Sequence, residues 1–581
     1  MNLEIETSKD GYKILKVNIN NKVKYIGSRY NQEREINKFI EALGELSVKD
    51  NYIIFGLSFA EQVKELLNKT FPESKILIIE HNRELIEYCR KDISIKNIIN
   101  DKRVFICNEK SEIISFFKNY IDEKNIGNVK LCEYCNYYNL YEDELREIYN
   151  CIKEEISKKV LNRNTAIHFG NESLENFLEN IKYIADSSEV NVIKDVYKEK
   201  PAIIVSAGPS LSKNIDKLVG VKNAVVFSGG RTLRPLLERG IIPSCVGVVD
   251  SSEVSYKLVH GYIDKVESPL YFTDSTPPKV LNEHKGKKIF SCQNKFVENV
   301  IGKEIPTLYG GGSIAHRLTL LAAYLGCNPI IFIGQDCAYT GEKGHAEIAE
   351  NNWVKLTYDD FYKKKDDLYV EDVDGDLVRT SIQLNTYRLE MEQVISENKN
   401  IKFINATEGG AKIKGTTETT LSNIINTFDK EEIKPLSEFL YDIDRKDIFI
   451  RKLSDTLKVF EKFKLWCKLG RKEIREARLN YKLNKYTELK KNELKINDIH
   501  EKIQRNSSQI EIVNFLIVKL MYGIENCSEY IINMNDIEEV KISKQLNKFE
   551  MIFLQIEKIL DNSYDKIEKI LRELKSEAIG E

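Results

Sequence analysis

Proline is absent after Pro435, so the last 146 residues of this 581-residue chain contain nothing that breaks a helix by its own covalent geometry. Nine of the eleven prolines fall between Pro201 and Pro329 and one is at Pro72. The chain therefore has a punctuated centre and an unpunctuated tail. In the tail, SDTLKVFEKFKLWCKLGRKEIREARLNYKLNKYTELKK, VNFLIVKLMYGIENCSEYI and KQLNKFEMIFLQIEKILDNSYDKIEKILRELK repeat apolar residues at intervals of three and four, with Lys, Arg and Glu between them. Residues 428–581 are expected to form an all-α domain, either a bundle packed on itself or a surface for a protein partner.

Residues 1–165 read as α/β. NYIIFGLSF (Asn51 to Phe59) and KILIIEHN (Lys75 to Asn82) are buried-strand patterns separated by the helical AEQVKELLNKTF. A glycine after the first strand and Glu80 at the end of the second outline a nucleotide-binding βαβ unit. Only Gly56 stands where a pyrophosphate needs two or three glycines, so the expectation is a Rossmann-like module used structurally or for partner contacts. Cys132 and Cys135 in CEYC lack a second pair to complete a zinc site, and the eleven cysteines read as ordinary reduced thiols.

Composition excludes more than it suggests. Lys plus Arg is 87 against 90 Asp plus Glu, a balance that gives no argument for a nucleic-acid partner. No apolar run approaches the length of a spanning helix, and the opening MNLEIETSKDGYKILKV lacks the regions of a signal peptide. The expectation is a cytoplasmic protein with no membrane partner.

The central segment, 166–427, carries the chemistry. AIIVSA, NAVVFSGG, CVGVVD, PLYFTD, KKIFSC, PIIFIGQD and KFINATEGG are strand-like runs alternating with helical stretches such as SIAHRLTLLAAYLG. That alternation predicts an open, mainly parallel sheet with helices on both faces, whose ligands bind beyond the carboxyl ends of the strands. Those ends are small and polar: Ser206, Ala207, Gly208, Pro209 and Ser210; Ser228, Gly229, Gly230 and Arg231; Asp250, Ser251 and Ser252; Thr273, Asp274 and Ser275; Gly334, Gln335 and Asp336. Glycine permits close backbone approach, and Ser210 or Ser212 can cap the following helix while its free N–H groups face an anion. The alternative is a plain tight turn with a capping serine. No G-x-x-x-x-G-K-S/T run occurs in the segment, which argues against a P-loop ATPase.

A second cluster begins at LYGGGSIAHRLTLLAAYLGCNPIIFIGQDCAYTGEKGHA. Gly310, Gly311 and Gly312 form a loop, Ser313 is a helix cap, and His316 with Arg317 lies in the first helical turn. Gln335, Asp336, Tyr339 and His345 follow the next strand. His316 reads as a helix-end polar residue, whereas His345 sits in a glycine-flanked loop and is the candidate general base. KFINATEGGAKIKG, with Asn405, Glu408 and Gly409, is the candidate for closing the pocket. The D-x-D of Asp372 to Asp374 lies in LYVEDVDGDLVRTS, which reads as two strands joined by an Asp-Gly turn.

Together AIIVSAGPSL, the Gly-Gly-Gly-Ser helix, IFIGQDCAYTGEKGHA and NATEGGAKIKG resemble the central domain of the motility-associated factor (Maf) family of flagellin glycosyltransferases. In that family an α/β N-terminal module and a helical C-terminal domain flank a sialyltransferase-like core. SAGPSL is also similar to the G-x-G-P-S-L turn of a bacterial sialyltransferase family that uses CMP-activated sugars, with Ser206 and Ala207 where that pattern has Gly and Asn. The resemblance implies transfer of a nonulosonic acid (sialic, legionaminic or pseudaminic) from a CMP donor to Ser or Thr of flagellin, by single displacement with inversion. It implies no metal and no cofactor beyond the CMP-sugar substrate. His345 is then the base, Asp336 the acid beside it, and Tyr339, Ser210 and the Gly208 and Ser210 amides the donors to the leaving phosphate.

Two other functions compete. A pterin pyrophosphokinase would use Mg²⁺ on carboxylates such as Asp250, Asp274 and Asp336, although a pterin needs no protein-docking tail. A non-enzymatic flagellin chaperone would use the tail alone.

Overall fold

The structure, a computed structural model, describes every residue except 1–3, 20–21, 123–124, 293, 341–342, 351–366, 534 and 580–581. It divides into two compact units. One is Met1–Gly170 with Glu461–Ser507 and Asn514–Asp561; the other is Asn171–Phe460 with Ser508–Val513 and Asn562–Glu581. Residues after 428 are thus shared between the two.

The first unit begins with an antiparallel sheet of β1 (Glu4–Thr7), β2 (Lys13–Ile19) and β3 (Lys22–Ile26). A parallel sheet follows, built from β4 (Asn51–Phe55), β5 (Ile76–Ile79), β6 (Val104–Cys107) and β7 (Val129–Glu133) in the order β6-β5-β4-β7. Its central strands NYIIF and ILII are buried at every position, as strands covered on both faces must be. The helices this unit takes from the tail pack closely. Gly470 leaves room for the Phe553 ring, which a Cβ would meet at 2.4 Å. Arg471–Glu557 (2.5 Å) and Arg478–Glu550 (2.5 Å) join the Lys446–Lys482 helix to the Glu538–Ile579 helix.

The second unit is a nine-stranded sheet, parallel at every pairing. Its strands are β8 (Ser188–Glu189), β9 (Ala202–Val205), β10 (Val225–Gly229), β11 (Cys245–Val248), β12 (Leu270–Thr273), β13 (Lys288–Ser291), β14 (Ile330–Ile333), β17 (Phe403–Asn405) and β18 (Thr416–Glu418). The hairpin of β15 (Asp367–Glu371) and β16 (Leu377–Ser381) lies outside it, and Asp372 accepts the Asp374 and Asp376 amides (both 2.9 Å) across the turn. All seven strand-like runs read from the central segment form, so the open parallel sheet is the observed architecture. The short polar edge strands β8 and β18 are additions to that reading.

Strand order is β18-β17-β14-β9-β10-β11-β12-β13-β8. The chain winds outward from β9 through β13, then returns to place β14 on the other side of β9. Ile203, Val205, Val226, Ile331 and Ile333 share a core with Leu211, Leu218 and Leu236 on one face. On the other face the Ile314–Tyr324 helix comes close because β10 and β11 present glycine. A Cβ at Gly229 would meet Ile314 at 2.9 Å, and one at Gly247 would meet Leu318 at 2.7 Å.

Candidate functional site

The winding reverses between β9 and β14, and in open parallel sheets the crevice at that reversal is where ligands bind. Both strands are buried throughout; past β9 the chain first becomes partly exposed at Ser206, whereas past β14 Gly334 to Ala338 stay buried. Ser206, Ala207, Gly208 and Pro209 remain half-buried there. The Ser206 hydroxyl reaches the Gln335 side-chain oxygen (2.5 Å), and the Gly208 amide donates to the Gly334 carbonyl (2.8 Å). Gly334 has φ +62°, and a Cβ there would lie 2.2 Å from the Ser206 carbonyl oxygen.

Asp336 fills the underside of this turn. Its carboxylate accepts the Ser210 amide (3.1 Å) and the Ser210 hydroxyl (2.8 Å), and a Cβ on Gly208 would meet it at 2.1 Å. Burial pushes its pKa up to about 6, while the Ser210 hydrogen bonds act the other way. This changes two expectations. The Ser210 amide and hydroxyl serve an internal carboxylate, so Ser210 makes no side-chain cap, and the helix after it is only Leu211–Asn214. Asp336 lies under the turn as its anchor rather than at its mouth as a catalytic acid.

The Asn405–Gly410 loop packs against the same aspartate. The Ala411 amide donates to the Asp336 carbonyl (2.7 Å), and Gly410, at φ +77°, leaves room for the Asp336 backbone. Thr407 accepts the Gln335 amide (3.2 Å), Asn405 binds Glu418 (3.1 Å), and Glu408 pairs with Lys217 (2.8 Å). Gly409 lies beside Ser210 and Lys213. The loop expected to close the pocket therefore borders the crevice, and Thr407 joins it there.

His345 also reaches the turn. The next residue, Ala346, donates its amide to the Ala207 carbonyl (3.0 Å), and Arg234 holds the same loop through the Ile348 carbonyl (2.8 Å). Crowding by the surrounding protein, then the Arg231 guanidinium, push the imidazole pKa down to about 4, although the residue as a whole is exposed. His345 is neutral at pH 7. Tyr339 is half-buried under the Arg379 guanidinium, 4.6 Å from the ring centroid.

The remaining predicted residues make contacts within the fold. Gly229 is fully buried against Ile314, so its small size serves helix packing rather than ligand approach. Beyond β11 and β12, the Asn176 side-chain amide donates to the Ser251 and Ser275 carbonyls (both 2.9 Å) and Asn180 donates to Asp274 (3.0 Å) and Thr276 (2.7 Å). Asp274 is buried and accepts the Asn294 amide (3.0 Å), Thr273 donates to the Val249 carbonyl (3.1 Å), and Asp250 holds the Ser252 amide (3.1 Å). These ends are knitted into the fold by two asparagines that sequence reading passed over. In the glycine loop, the Ser313 hydroxyl caps the Ala315 amide (3.3 Å), His316 accepts the Ser313 amide (3.1 Å), and Glu390 accepts the Gly312 amide (2.9 Å). Gly311, at φ +152°, makes room for the His316 ring. His316 is thus the helix-end residue its sequence position predicts, and Glu390 holds the loop without a local sequence signal.

In the first unit, the nucleotide-like turn is filled from within. Gly56 has φ +107°, and a Cβ there would meet the Tyr137 ring at 2.6 Å. Glu80 is fully buried, accepts the Leu57 (3.2 Å) and Asn82 (2.7 Å) amides, and is hydrogen-bonded by the Tyr137 hydroxyl. Burial pushes its carboxyl up to about 7. Burial likewise pushes the Cys132 and Cys135 thiols up to about 12. Among the described residues no group of three or more His, Cys, Asp and Glu is arranged to hold a metal ion, and no helix is long and apolar enough to cross a membrane.

Fold and site together define a doubly wound parallel α/β unit with its crevice at the β9/β14 reversal. Residues 175–342 match the family described as 6-hydroxymethylpterin diphosphokinase MptE-like. The solved Maf glycosyltransferase from Magnetospirillum magneticum AMB-1 is similar in fold, with TM-score 0.61 and 12% identity over 100% of this chain and 95% of that one. No curated protein matches the chain significantly.

Proposed function

We propose that the chain is a glycosyltransferase that moves a nonulosonic acid of the sialic, legionaminic or pseudaminic type from CMP to Ser or Thr of flagellin in the cytoplasm, in support of flagellum assembly and motility. The observation that carries this reading is the fold likeness, over the whole chain, to a protein named as a Maf glycosyltransferase. The crevice supports it with residues suited to the step. The acceptor oxygen forms its bond to the anomeric carbon as the bond from that carbon to the CMP phosphate oxygen breaks, and CMP leaves with the electron pair.

Neutral His345 takes the acceptor proton. The lowered pKa keeps the imidazole in the neutral form that can accept a proton. Arg231 beside it complements an anionic donor, and the Tyr339 hydroxyl hydrogen-bonds the leaving phosphate. Ser206 and Gly409 border the donor. Asp336 acts through Ser210 and is a positioning residue. The reaction needs no divalent cation in this reading.

A second reading, diphosphate transfer from ATP to a pterin alcohol, is favoured by the match of residues 175–342. One experiment separates them: incubation with flagellin, a CMP-nonulosonic acid and EDTA, read by intact flagellin mass, alongside ATP, Mg²⁺ and 6-hydroxymethylpterin, read by AMP release. Sugar-sized additions that disappear in folded Gly208→Trp protein are the expected result. AMP release without any addition moves the assignment to the kinase; neither product, with flagellin bound tightly, moves it to a chaperone.

A further inference from the structure

The Lys446–Lys482 helix has two faces. Phe463, Trp466, Cys467, Ile474 and Ala477 are buried inside the first unit. On the opposite side Leu465 is 55% exposed, Leu469 45%, Leu479 56% and Leu483, just past the helix end, 52%. Four leucines left in water on one helix face are a surface prepared for a partner rather than scattered apolar residues.

Their spacing specifies that partner. Residues 465, 469, 472, 476, 479 and 483 are separated by four, three, four, three and four, the alternation of a coiled-coil seam. The two central places hold Lys472 and Glu476, both exposed and 3.9 Å apart. Read in reverse, the seam complements itself. When a second copy lies antiparallel, with the two-fold axis level with Ile474, Leu465 faces Leu483 of the other copy and Leu469 faces Leu479. Lys472 then faces Glu476, and each of these layers occurs twice. A two-fold interface requires this property: one patch that is its own complement. Arg475 lies beside the axis and meets its own counterpart, so the flank opposes association and keeps it reversible.

We infer that the exposed Leu465–Leu483 seam is the interface of an antiparallel homodimer, with Lys472 and Glu476 setting its direction and register. The inference stands independently of the proposed activity.

Sedimentation equilibrium of the full chain over about 1 to 100 µM tests it. The expected result is a concentration-dependent rise from 67.3 kDa toward twice that mass. Leu469→Lys keeps the protein monomeric. Lys472→Glu places glutamates opposite one another and Glu476→Lys places lysines opposite one another, so each single variant is monomeric alone. Mixed together, the two form a one-to-one heterodimer, because every central layer then pairs Glu with Lys. Repair of the contact within one helix cannot give that result. A wild-type chain that stays monomeric to 100 µM, or dimers indifferent to all three substitutions, overturns the inference; the former leaves the seam to a heterologous amphipathic helix.

Discussion

At the scale of single residues, the crevice depends on small side chains and the buried Asp336 carboxyl rather than on a row of free donors. Gly208 is required because Asp336 lies where its Cβ would go. Gly208→Ala is expected to cost about 1–3 kcal/mol by overpacking, measured by urea denaturation, and to lower transfer more than it lowers stability because the turn itself moves. Glu80 makes a different prediction. Its folded carboxyl is raised to about 7 from the ordinary 4.5, so its stabilising contribution is complete below pH 4.5 and is lost as pH rises through 7. Denaturation at pH 5 and pH 8 should differ by on the order of 3 kcal/mol from this group. Glu80→Gln should flatten that slope, since an amide can accept the same backbone donors without ionising. An unchanged slope would mean that Glu80 stays charged through its hydrogen bonds with Leu57, Asn82 and Tyr137.

At the scale of elements, the sequence declares what is local and conceals what is distant. AIIV, IIFI and LYFT are legible as strands because a parallel strand covered on both sides is an unbroken apolar run. Ser188–Glu189 and Thr416–Glu418 are not, because edge strands this short and polar carry no such run. The turn after β9 stands out in the sequence as SAGPSL, but the partner that fills it is 126 residues away at Asp336. The glycine loop is held by Glu390, 78 residues on, and the β12 end by Asn180, 94 residues back. No periodicity links such pairs, so which polar ends are tied into the fold emerges only in the folded chain. The helix seated on glycines gives a test here. Gly247→Ala should push Leu318 outward and cost about 1–3 kcal/mol, whereas Gly220→Ala, where a Cβ meets nothing within 4 Å but φ is +80°, reports backbone strain alone. Equal effects from the two would remove the close helix approach from the account.

At the scale of the molecule, two parallel α/β sheets each reverse their winding beside a glycine turn, and the two turns are built differently. In the first unit Tyr137 and Glu80 close the place beside Gly56. In the second, Ser206 to Pro209 stay half-buried, with His345, Arg231 and the Gly409 loop around them. In the proposed reaction the donor nucleotide enters the second of these and not the first. Hydrogen–deuterium exchange of the full chain with and without a CMP-nonulosonic acid tests it most directly. The expected result is slowed exchange in peptides covering 206–211, 334–339 and 405–411, with peptides covering 56–62 and 80–85 unchanged. Protection confined to the Gly56 and Glu80 peptides would contradict it and place the nucleotide in the first unit.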